Sequence, residues 1–554
     1  MRRSVFVVLA LLLAGAGATL AATPGAEAPG GGTPGTSSNF TLVGHDALFG
    51  RGMNAAPAVY TDQSTGRTFV YVGNRTDGSL PCDQTGGVQP CHASSNVHIQ
   101  TGVLIEDVTD PAHPVNVGEI GPPHAGLPGI TTRELRVWPE QKLLLVMTFR
   151  CSSAIHDCPP GNDTTFPFDI KFFDLSDPAQ PRFIGAYVPR SQAGRLVKPH
   201  EMYLWIDPQN RDRALLWLST PTSSVNPAVP NLMMVDISDV PGSVPGPSPA
   251  PIGTTAPVTE VAEGNWNQFF PGADNPANYD FDLALHSMAP TADGRTTYLA
   301  YLRGGFGLLD TSAVVDHTGS DVISLNDDLL TPVSKFVRWG TGNQCAGHTP
   351  VACSESHSAV PVPGRPFDLS TDEVYGTFTV PSFGWPWGWM RLIQVANPAQ
   401  PKLRSEYKIF ENTEPFQGSP GDDAATEQFT SYSSHNPTVL PRLALLTWHS
   451  GGLQAIDISN PQMPRQGGWF SPQPLASVAT DDPALNGGPN KVTMWSYPII
   501  RDGLIYVIDI RNGLYILRYD GPGHGAVANV GFLEGNSNLG DAVRLAQGGD
   551  DAGG

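Results

Sequence analysis

Apolar residues in this chain occur in many short runs that alternate with polar residues and end at turn residues. Neighbouring runs pair up as hairpins, of which four examples lie over residues 134–148, 201–219, 287–302 and 436–447. Alternation with a period of two is typical of strands with one buried face, and Gly, Pro, Asn and Asp between the runs favour tight turns. Long helical windows rich in Ala, Glu, Lys and Leu are missing from the sequence. The pattern predicts an all-β protein.

One phrase recurs along the chain and marks a strand that ends in a turn. Alternating apolar residues fill the strand, Asp, Ser and Asn side chains cap the backbone of the turn, and Pro fixes φ at the corner. A second short strand follows each copy, for example at residues 115–120, 182–188 and 402–409. The copies end near Pro114, Pro181, Asp239, Ser312, Pro401 and Pro461.

Each copy of the phrase follows a hairpin, so the repeating unit is four antiparallel strands. The last unit, residues 494–519, supplies only three strands, and residues 39–46 form a single strand without a hairpin partner. If that strand completes the last unit, the ring closes and leaves no exposed sheet edge. We therefore predict an all-β, seven-bladed β-propeller with four-stranded blades over residues 39–520, closed by the N-terminal strand. Its units begin near Ala55, Arg133, His200, His286, His357, His435 and Trp495.

The ends of the chain indicate export. Arg2 and Arg3 precede a short apolar run and a stretch of small residues, which is typical of a secretory signal peptide over residues 1–22. We expect a soluble protein that is extracellular or periplasmic. Gly, Pro and Asp at the two ends predict a flexible leader at residues 23–38 and a disordered C-terminal tail at residues 521–554.

Charge limits the class of partner. Only 15% of the 554 residues are charged, and the net charge is −20. Nucleic acids and anionic membranes select basic surfaces, so neither is expected as a partner. We expect a small-molecule or extracellular ligand instead.

Six cysteines occur as three close pairs that are far apart from one another in the sequence. In an oxidising compartment, an even number at such spacing favours three local disulfides over a thiolate metal site or a catalytic thiol. The pairs are Cys82 with Cys91, Cys151 with Cys158, and Cys345 with Cys353.

Long loops are expected on one face of the propeller, where the innermost strand of each blade begins. Residues 75–101 and 150–167 are two such loops, and all three cysteine pairs fall in loops on this face. Variable loops on a rigid scaffold are where functional sites usually lie. A third loop carries three tryptophans that either stack on a ligand or pack over the blade below. They are Trp385, Trp387 and Trp389.

Histidines occupy the start of the first strand in four consecutive units. Because these strands line the central channel, their imidazoles are expected to approach one another at one mouth. His449, in a turn of the sixth unit, belongs to the same face. The other four are His200, His286, His357 and His435.

A cluster of imidazoles without thiolate suits copper, zinc or iron. Glu201 and Glu355 are candidates to orient a histidine or to join the site. The second unit has Arg133 and Glu134 in place of a histidine, and Arg133 is a candidate to bind an anion or a substrate carboxylate. Two alternatives stay open: the histidines serve packing alone, or they bind an anionic ligand together with Arg133 without a metal.

The repeated phrase resembles that of the LVIVD-repeat propellers of secreted bacterial proteins. Residues 448–461, Trp-His-Ser-Gly-Gly-Leu-Gln-Ala-Ile-Asp-Ile-Ser-Asn-Pro, also resemble a blade of the selenium-binding protein and methanethiol oxidase group. That resemblance implies a seven-bladed propeller with histidines in its channel and, as in the oxidases, copper. The group's free-cysteine motif is not matched here.

The sequence therefore supports three hypotheses about function. The first is a secreted metalloprotein that acts as a copper-dependent oxidase of a small molecule, with the metal held by the histidine cluster. The second is a non-catalytic extracellular propeller that binds a protein or a glycan through its long-loop face. The third is a metal-binding protein without turnover.

Overall fold

The computed structural model describes residues 33–77, 98–150, 168–222, 224–244, 246, 248–270, 284–331, 336–339, 355–373, 387–417, 419, 430–482, 485–486 and 488–548. Strands dominate these residues, so the all-β prediction is confirmed. No helix within these ranges is long and apolar enough to span a membrane. The α-helices are α1 (Ser312–Val315), α2 (His524–Ala528) and α3 (Ala542–Ala546), and single 3-10 turns cover Leu48–Gly50, Pro139–Gln141, Pro241–Ser243, Asn267–Phe269 and Phe410–Asn412.

The described strands form six sheets in which almost all neighbours are antiparallel. The first two units of the sequence repeat share one sheet of eight strands, joined where Asn74 pairs with Thr132. The strands of this sheet are β3 (Asn54–Thr61), β4 (Thr68–Asn74), β5 (Val103–Asp107), β6 (Val115–Ile120), β7 (Ile130–Trp138), β8 (Leu143–Arg150), β9 (Ile170–Asp174) and β10 (Arg182–Tyr187).

The remaining five sheets follow in chain order and hold three to five strands each. The third unit has β11 (Glu201–Ile206), β12 (Ala214–Ser219), β13 (Leu232–Asp236) and β14 (Thr259–Gly264), with β18 (Ile323–Ser324) added in parallel, and the fourth has β15 (Ala284–Pro290), β16 (Thr296–Leu302) and β17 (Gly305–Asp310). The fifth has β19 (Ser356–Pro361), β20 (Phe367–Asp372), β21 (Met390–Gln394) and β22 (Lys402–Tyr407). The sixth has β23 (Pro437–Val439), β24 (Leu443–Thr447), β25 (Leu453–Asp457), β26 (Arg465–Ser471) and β1 (Thr36–Ser38). The seventh has β27 (Ile499–Arg501), β28 (Leu504–Asp509), β29 (Gly513–Tyr519), β2 (Phe40–Asp46) and β30 (Phe532–Leu533).

The first strands of successive units lie side by side and close into a circle. β3 contacts β7, and β11, β15, β19 and β23 follow in order. Thr438 in β23 donates a hydrogen bond of 2.5 Å to the carbonyl of Pro498, directly before β27, and β27 and β28 contact β3. β2 pairs with β29, as predicted for the N-terminal strand. Antiparallel sheets that radiate from a closed circle of inner strands are the arrangement of a β-propeller.

The core lies in layers between successive sheets. One layer packs Trp138 and Phe172 of the second unit against Leu204, Leu216 and Met233 of the third, and all five side chains are at most 1% exposed. Because both faces of the inner strands are covered, their sequences carry nearly continuous apolar runs rather than strict alternation.

The sheets depart from the prediction of separate four-stranded units. β18, β1 and β30 each add a fifth strand to the third, sixth and seventh units, and two further departures concern the first, second and fourth units. Gly73 allows the first two units to join, since a Cβ there would collide with the carbonyl of Thr132 in the next unit. In the fourth unit, the outer edge of β17 makes only isolated bridges, from Phe306 to Val337 and from Leu309 to Leu329. Within the described residues that unit therefore has three strands.

The repeated phrase forms the turns that the sequence predicts. At the end of the third strand of five units, an aspartate carboxylate accepts the backbone N–H two residues later, at 2.8–3.1 Å. These hydrogen bonds satisfy turn N–H groups that would otherwise have no partner. The five residues are Asp107, Asp174, Asp236, Asp310 and Asp457.

Both predicted flexible ends prove partly ordered. Within the expected leader at residues 23–38, β1 pairs with β26. The expected disordered tail at residues 521–554 is wrong for residues 521–548, which form α2, β30 and α3. Its sparse apolar residues are enough to anchor it, because Val527, Leu533 and Leu545 are buried.

The C-terminal segment enters the circle of inner strands at the end remote from the histidines. The carbonyl of Asn536 accepts the N–H of Leu204 in β11 at 3.1 Å. The Asn538 side chain bonds both the N–H and the carbonyl of Ile206 at 2.7 Å, and the carbonyl of Ala292 at 3.0 Å. Ile206 is the last residue of β11, so this segment closes that end of the channel.

We expect Asn538→Ala to destabilise the protein by about 2–4 kcal/mol, because it leaves buried backbone groups of β11 without partners. Chemical denaturation measures the loss, and hydrogen exchange of the Ile206 amide should become faster. Asn397→Ala, which removes one exposed turn bond, is the matched control and should lose less than about 1 kcal/mol. Equal stability of the Asn538 variant and the wild type would contradict the anchoring role.

Candidate functional site

Five imidazoles meet in an arc at the mouth where the inner strands begin. Successive ring centroids along the arc are 4.4, 4.0, 4.1 and 5.0 Å apart. Four of the rings belong to residues that are at most 8% exposed, and the first is partly buried. The histidines therefore converge at one mouth of the channel, as the sequence predicts. The order along the arc is His200, His286, His357, His435 and His449.

The register of strand pairing shifts at two of these histidines and at Arg133. The register of β7 with β8 shifts at Arg133, that of β15 with β16 at His286, and that of β19 with β20 at His357. At each of these residues, two residues of the strand lie opposite one residue of the neighbouring strand. Such β-bulges bend a strand and redirect a side chain, and they are common beside active sites. The same irregularity thus recurs at the equivalent position of three units.

The carboxylate of Glu373 lies at the centre of the histidine arc. Its Oε1 is 3.2 Å from His435 Nε2 and 3.3 Å from His449 Nε2, and its Oε2 is 3.4 Å from His357 Nε2. The sequence analysis did not identify Glu373. It directly follows β20, the second strand of its unit.

The outward ring nitrogens are held by hydrogen bonds. His357 Nδ1 contacts the Ser358 hydroxyl at 2.9 Å, and His449 Nδ1 contacts the Ser431 hydroxyl at 2.9 Å. His435 Nδ1 is 2.6 Å from the carbonyl oxygen of Trp495, which can only accept. The proton of a neutral His435 is therefore on Nδ1, and Nε2 presents its lone pair to the carboxylate. Two acceptors at that distance require a second proton on the ring or a cation between them.

A second carboxylate layer lies beneath the arc. Glu201 Oε1 is 3.8 Å from His286 Nδ1 and 3.9 Å from His357 Nε2. The Tyr497 hydroxyl donates to Glu201 Oε2 at 3.4 Å. Glu134, a predicted member, forms an ion pair with Arg136 at 3.0 Å and so lies next to this layer.

Two overlapping groups of donor atoms are compact enough to hold a metal ion. One consists of Glu201, His286 and His357, and the other of His357, Glu373 and His435. Within each group the donor atoms lie within 4.8 Å of one another. Imidazole and carboxylate donors without thiolate are a ligand set for zinc, copper or iron.

Burial favours the neutral form of four of the imidazoles. It lowers the pKa of His200 and His357 well below the ordinary value, and the neighbouring His286 adds to this effect in both. Burial also lowers the pKa of His286 to about 4 and lowers that of His449. Neutral imidazole is the form that binds a metal ion.

The carboxylates divide into two kinds. Burial would raise the pKa of Glu373, but the imidazoles of His435 and His357 outweigh burial and hold it well below its ordinary value. Burial raises the pKa of Glu201 well above the ordinary value, and the nearby Glu134 carboxylate adds to this effect. Glu373 is thus the anionic group of the site, whereas Glu201 tends to stay protonated.

A small cavity of about 70 Å³ opens above the cluster. The histidines form one wall, and two arginines with apolar side chains form the other. Arg75 and Trp495 were not predicted as site residues, although the start of the seventh unit was placed at Trp495. The lining residues are Arg75, Arg133, Glu134, Phe149, His200, Glu201, His286, His357, Glu373, His435, Leu485 and Trp495.

Three other residues that the sequence analysis predicted for the site do not line the cavity. Glu355 lies outside the lining, because its carboxylate pairs with the buried Arg303 at 2.8 Å. Trp387 is 1% exposed and packs against Tyr432, with ring centroids 5.0 Å apart. Trp389 is 7% exposed and donates to Glu406 at 3.2 Å. Both tryptophans therefore follow the packing alternative rather than ligand stacking.

Seven of the predicted residues lie outside the described part of the chain. They are Trp385, Cys82, Cys91, Cys151, Cys158, Cys345 and Cys353, so the predicted disulfides stay a prediction.

A positional signal could have found the two missed charged residues. Arg75 directly follows β4 and Glu373 directly follows β20, each the second strand of its unit. His449 lies two residues after β24, at the same stage of the sixth unit. In a propeller, the second strand of each unit ends on the face where the inner strand begins. The residues that follow the second strands are therefore a second set of equivalent positions on the face that holds the site.

No family model matches the chain, and none of the curated proteins matches it. A hypothetical selenium-binding protein from Sulfolobus tokodaii is 13% identical, with a TM-score of 0.36 over 65% of this chain and 67% of that protein. The β-propeller domain of Cps50 (Swd1) from Myceliophteria thermophila is 11% identical, with a TM-score of 0.38 over 87% and 99%. Sqt1 from Chaetomium thermophilum is 9% identical, with a TM-score of 0.39 over 84% and 96%. Similarity at this level assigns neither a family nor a function.

We expect the metal-free protein to lose stability as the pH falls. The pKa of His286 is about 4 in the fold and about 6.5 in an unfolded chain. Between these values the unfolded state binds more protons, so the free energy of unfolding falls with pH. His286 alone should account for about 2 kcal/mol between pH 7 and pH 5.

Denaturant titrations of chelator-treated protein at the two pH values measure this loss. Between pH 7 and pH 5, the His286→Gln variant should lose about 2 kcal/mol less of its free energy of unfolding than the wild type does. His113→Gln is the control, since the His113 side chain is 80% exposed, and it should keep the full loss. A His286 variant with an undiminished loss would argue against neutral burial of this ring.

Proposed function

We propose that this chain is a metalloprotein that holds a transition metal ion at Glu373, His357, His435 and His449. The observation that carries the proposal is the contact of His435 Nε2 with Glu373 at 3.2 Å. The Trp495 carbonyl fixes the proton of the neutral ring on Nδ1. A cation between the lone pair and the carboxylate turns this unfavourable contact into coordination.

The spacing of the donor atoms supports a shared metal ion. Bonds of about 2.0–2.2 Å with angles between 90° and tetrahedral place neighbouring donors roughly 2.8–3.6 Å apart. The Glu373 oxygens lie 3.2, 3.3 and 3.4 Å from the three Nε2 atoms. His200 Nε2 and His286 Nε2 are 2.9 Å apart, so these two rings are suitable further ligands.

The residues around the donors orient them. Ser358, Ser431 and the Trp495 carbonyl hold the three outward Nδ1 atoms, so the Nε2 atoms keep their aim. Such partners commonly raise metal affinity because they fix the tautomer and the orientation of the ring. The burial of His357, His435 and His449, at 1%, 1% and 0% exposure, excludes bulk water from their rings.

We further propose that the metal is copper and that the protein is an oxidase of a small molecule. A nitrogen-rich site without thiolate supports copper. The cavity of about 70 Å³ beside the cluster supports a small substrate. Bound copper would supply electron transfer between such a substrate and dioxygen, while the channel mouth holds the substrate next to His200 and His286.

We also infer that the ring has seven four-stranded blades, because seven inner strands follow one another around the channel. The resemblance of the repeat to LVIVD-repeat propellers supports the same count. The N-terminal residues support export, and the paired cysteines support three disulfides in that compartment.

The metal assignment predicts that purified protein binds about one equivalent of copper or zinc, and that Glu373→Gln weakens binding at least about tenfold. The amide keeps the shape of the side chain but removes its charge. Metal analysis after dialysis and competition with a chromophoric chelator measure both effects. Glu140→Gln, at an exposed surface pair, is the matched control and should bind as the wild type does.

Wild-type protein that retains less than about a tenth of an equivalent after exposure to either metal would contradict the assignment. A second proton, rather than a metal, would then explain the contact of His435 with Glu373.

The oxidase assignment predicts that copper-loaded protein consumes dioxygen in the presence of small thiols or phenols. An oxygen electrode measures the rate, and zinc-loaded protein is the control because zinc undergoes no redox change. Copper-loaded Glu373→Gln should be slower. Equal rates for the copper-loaded and zinc-loaded proteins would leave a metal-binding protein without turnover.

A further inference from the structure

Two guanidinium groups face the cavity from the units that lack a histidine in the arc. Arg133 lies at the bulge of β7, with its guanidinium carbon 5.2 Å from the centroid of the Phe149 ring. Arg75 follows β4 and lies 5.0 Å from the Trp495 ring. Each guanidinium packs against the face of an aromatic ring, which helps to hold it in place.

The positive charges of both arginines reach the histidine cluster. After burial and the neighbouring His286, the charge of Arg133 helps to lower the pKa of His200, and Arg75 adds to the same effect. Arg75 also helps to lower the pKa of His449. Arginines and histidines therefore share one electrostatic environment.

Two arginines line the cavity, Arg75 and Arg133, whereas Glu373 is the lining carboxylate whose pKa is held low. Arg75 also contacts Asp482 at 3.2 Å. Glu134 is paired with Arg136. A bound dication would add a charge of about +2 in a desolvated site, and such a charge needs a compensating anion.

Size and lining limit the kind of anion. A cavity of about 70 Å³ has room for roughly five water-sized groups. Phe149, Leu485 and Trp495 give it an apolar wall. Hydrocarbon fits such a wall better than the fully polar surface of an inorganic oxyanion.

We propose that this cavity binds a small organic acid as its anion, with the carboxylate against Arg75 and Arg133 and the hydrocarbon against Trp495 and Leu485. The fork of an arginine matches the two oxygens of a carboxylate. The inference rests on the proposed function, because the metal ion supplies the positive charge that the anion balances.

Three probes of about five non-hydrogen atoms separate charge from shape. Propionate carries both the carboxylate and the hydrocarbon, propionamide has the same shape without charge, and inorganic phosphate has charge without hydrocarbon. Calorimetric titration of zinc-loaded protein should give an affinity for propionate at least about tenfold higher than for either of the other probes.

Arg133→Gln should weaken propionate binding at least about tenfold, and Arg133→Lys should restore part of the loss because it keeps the charge. Arg67→Gln, at an exposed arginine paired with Asp107, should leave binding unchanged. Zinc content and melting temperature are measured for each variant. These readouts show whether a loss comes from the metal site or from the fold.

Equal affinities for propionate and propionamide, or an Arg133→Gln variant that binds propionate as well as the wild type, would overturn the inference. Phosphate binding as tight as propionate would overturn the assignment to an organic acid. If the protein takes up no zinc, the proposed function fails by itself. Propionate is then titrated into the metal-free protein, where an affinity above that for propionamide that depends on Arg133 would still support the arginine site.

Discussion

Closure of the inner strands into a ring is the constraint on which the rest of the structure depends. β27 and β28, near the end of the chain, contact β3 near its start, and Thr438 in β23 bonds the carbonyl directly before β27, so the inner strands close into a circle. The pairing of β2 with β29 then completes the outer part of the last sheet. The ring fixes the distance between equivalent positions of neighbouring units. A residue type repeated at one position must therefore converge with its copies, and the arc of five imidazoles is the result.

Closure of the ring brings the imidazoles close together, but it does not by itself set the direction of each side chain. The strand register shifts at Arg133, His286 and His357, and such β-bulges redirect side chains while the flanking residues of each strand stay paired. The opposite end of the channel is closed by the C-terminal segment through Asn538. The site is thus a buried pocket. Burial lowers the pKa of His286, and it would raise that of Glu373, but His435 and His357 outweigh burial and hold the pKa of this carboxylate low.

The repeat predicts the fold class, the pairing of the N-terminal strand and the column of histidines, because each depends on local pattern and ring geometry. Glu373 and Arg75 are not predicted, because they lie after the second strands of their units and not at the position where the histidines repeat. The bulges and the ion pair of Glu355 with Arg303 depend on long-range contacts that no local pattern records. The ordered segment at residues 521–548 is missed because its composition is that of a tail, while a few buried leucines decide its packing.

The units that differ from the repeat at the histidine position determine which side chains line the cavity. Four consecutive units give imidazole at one position, and the second unit gives Arg133 there. The mouth of the channel therefore has a side lined by imidazoles and a side lined by arginines, with Phe149 and Trp495 among the residues that line the cavity. The lopsided ring places donors on one side, and the cavity beside them gives a ligand a defined orientation.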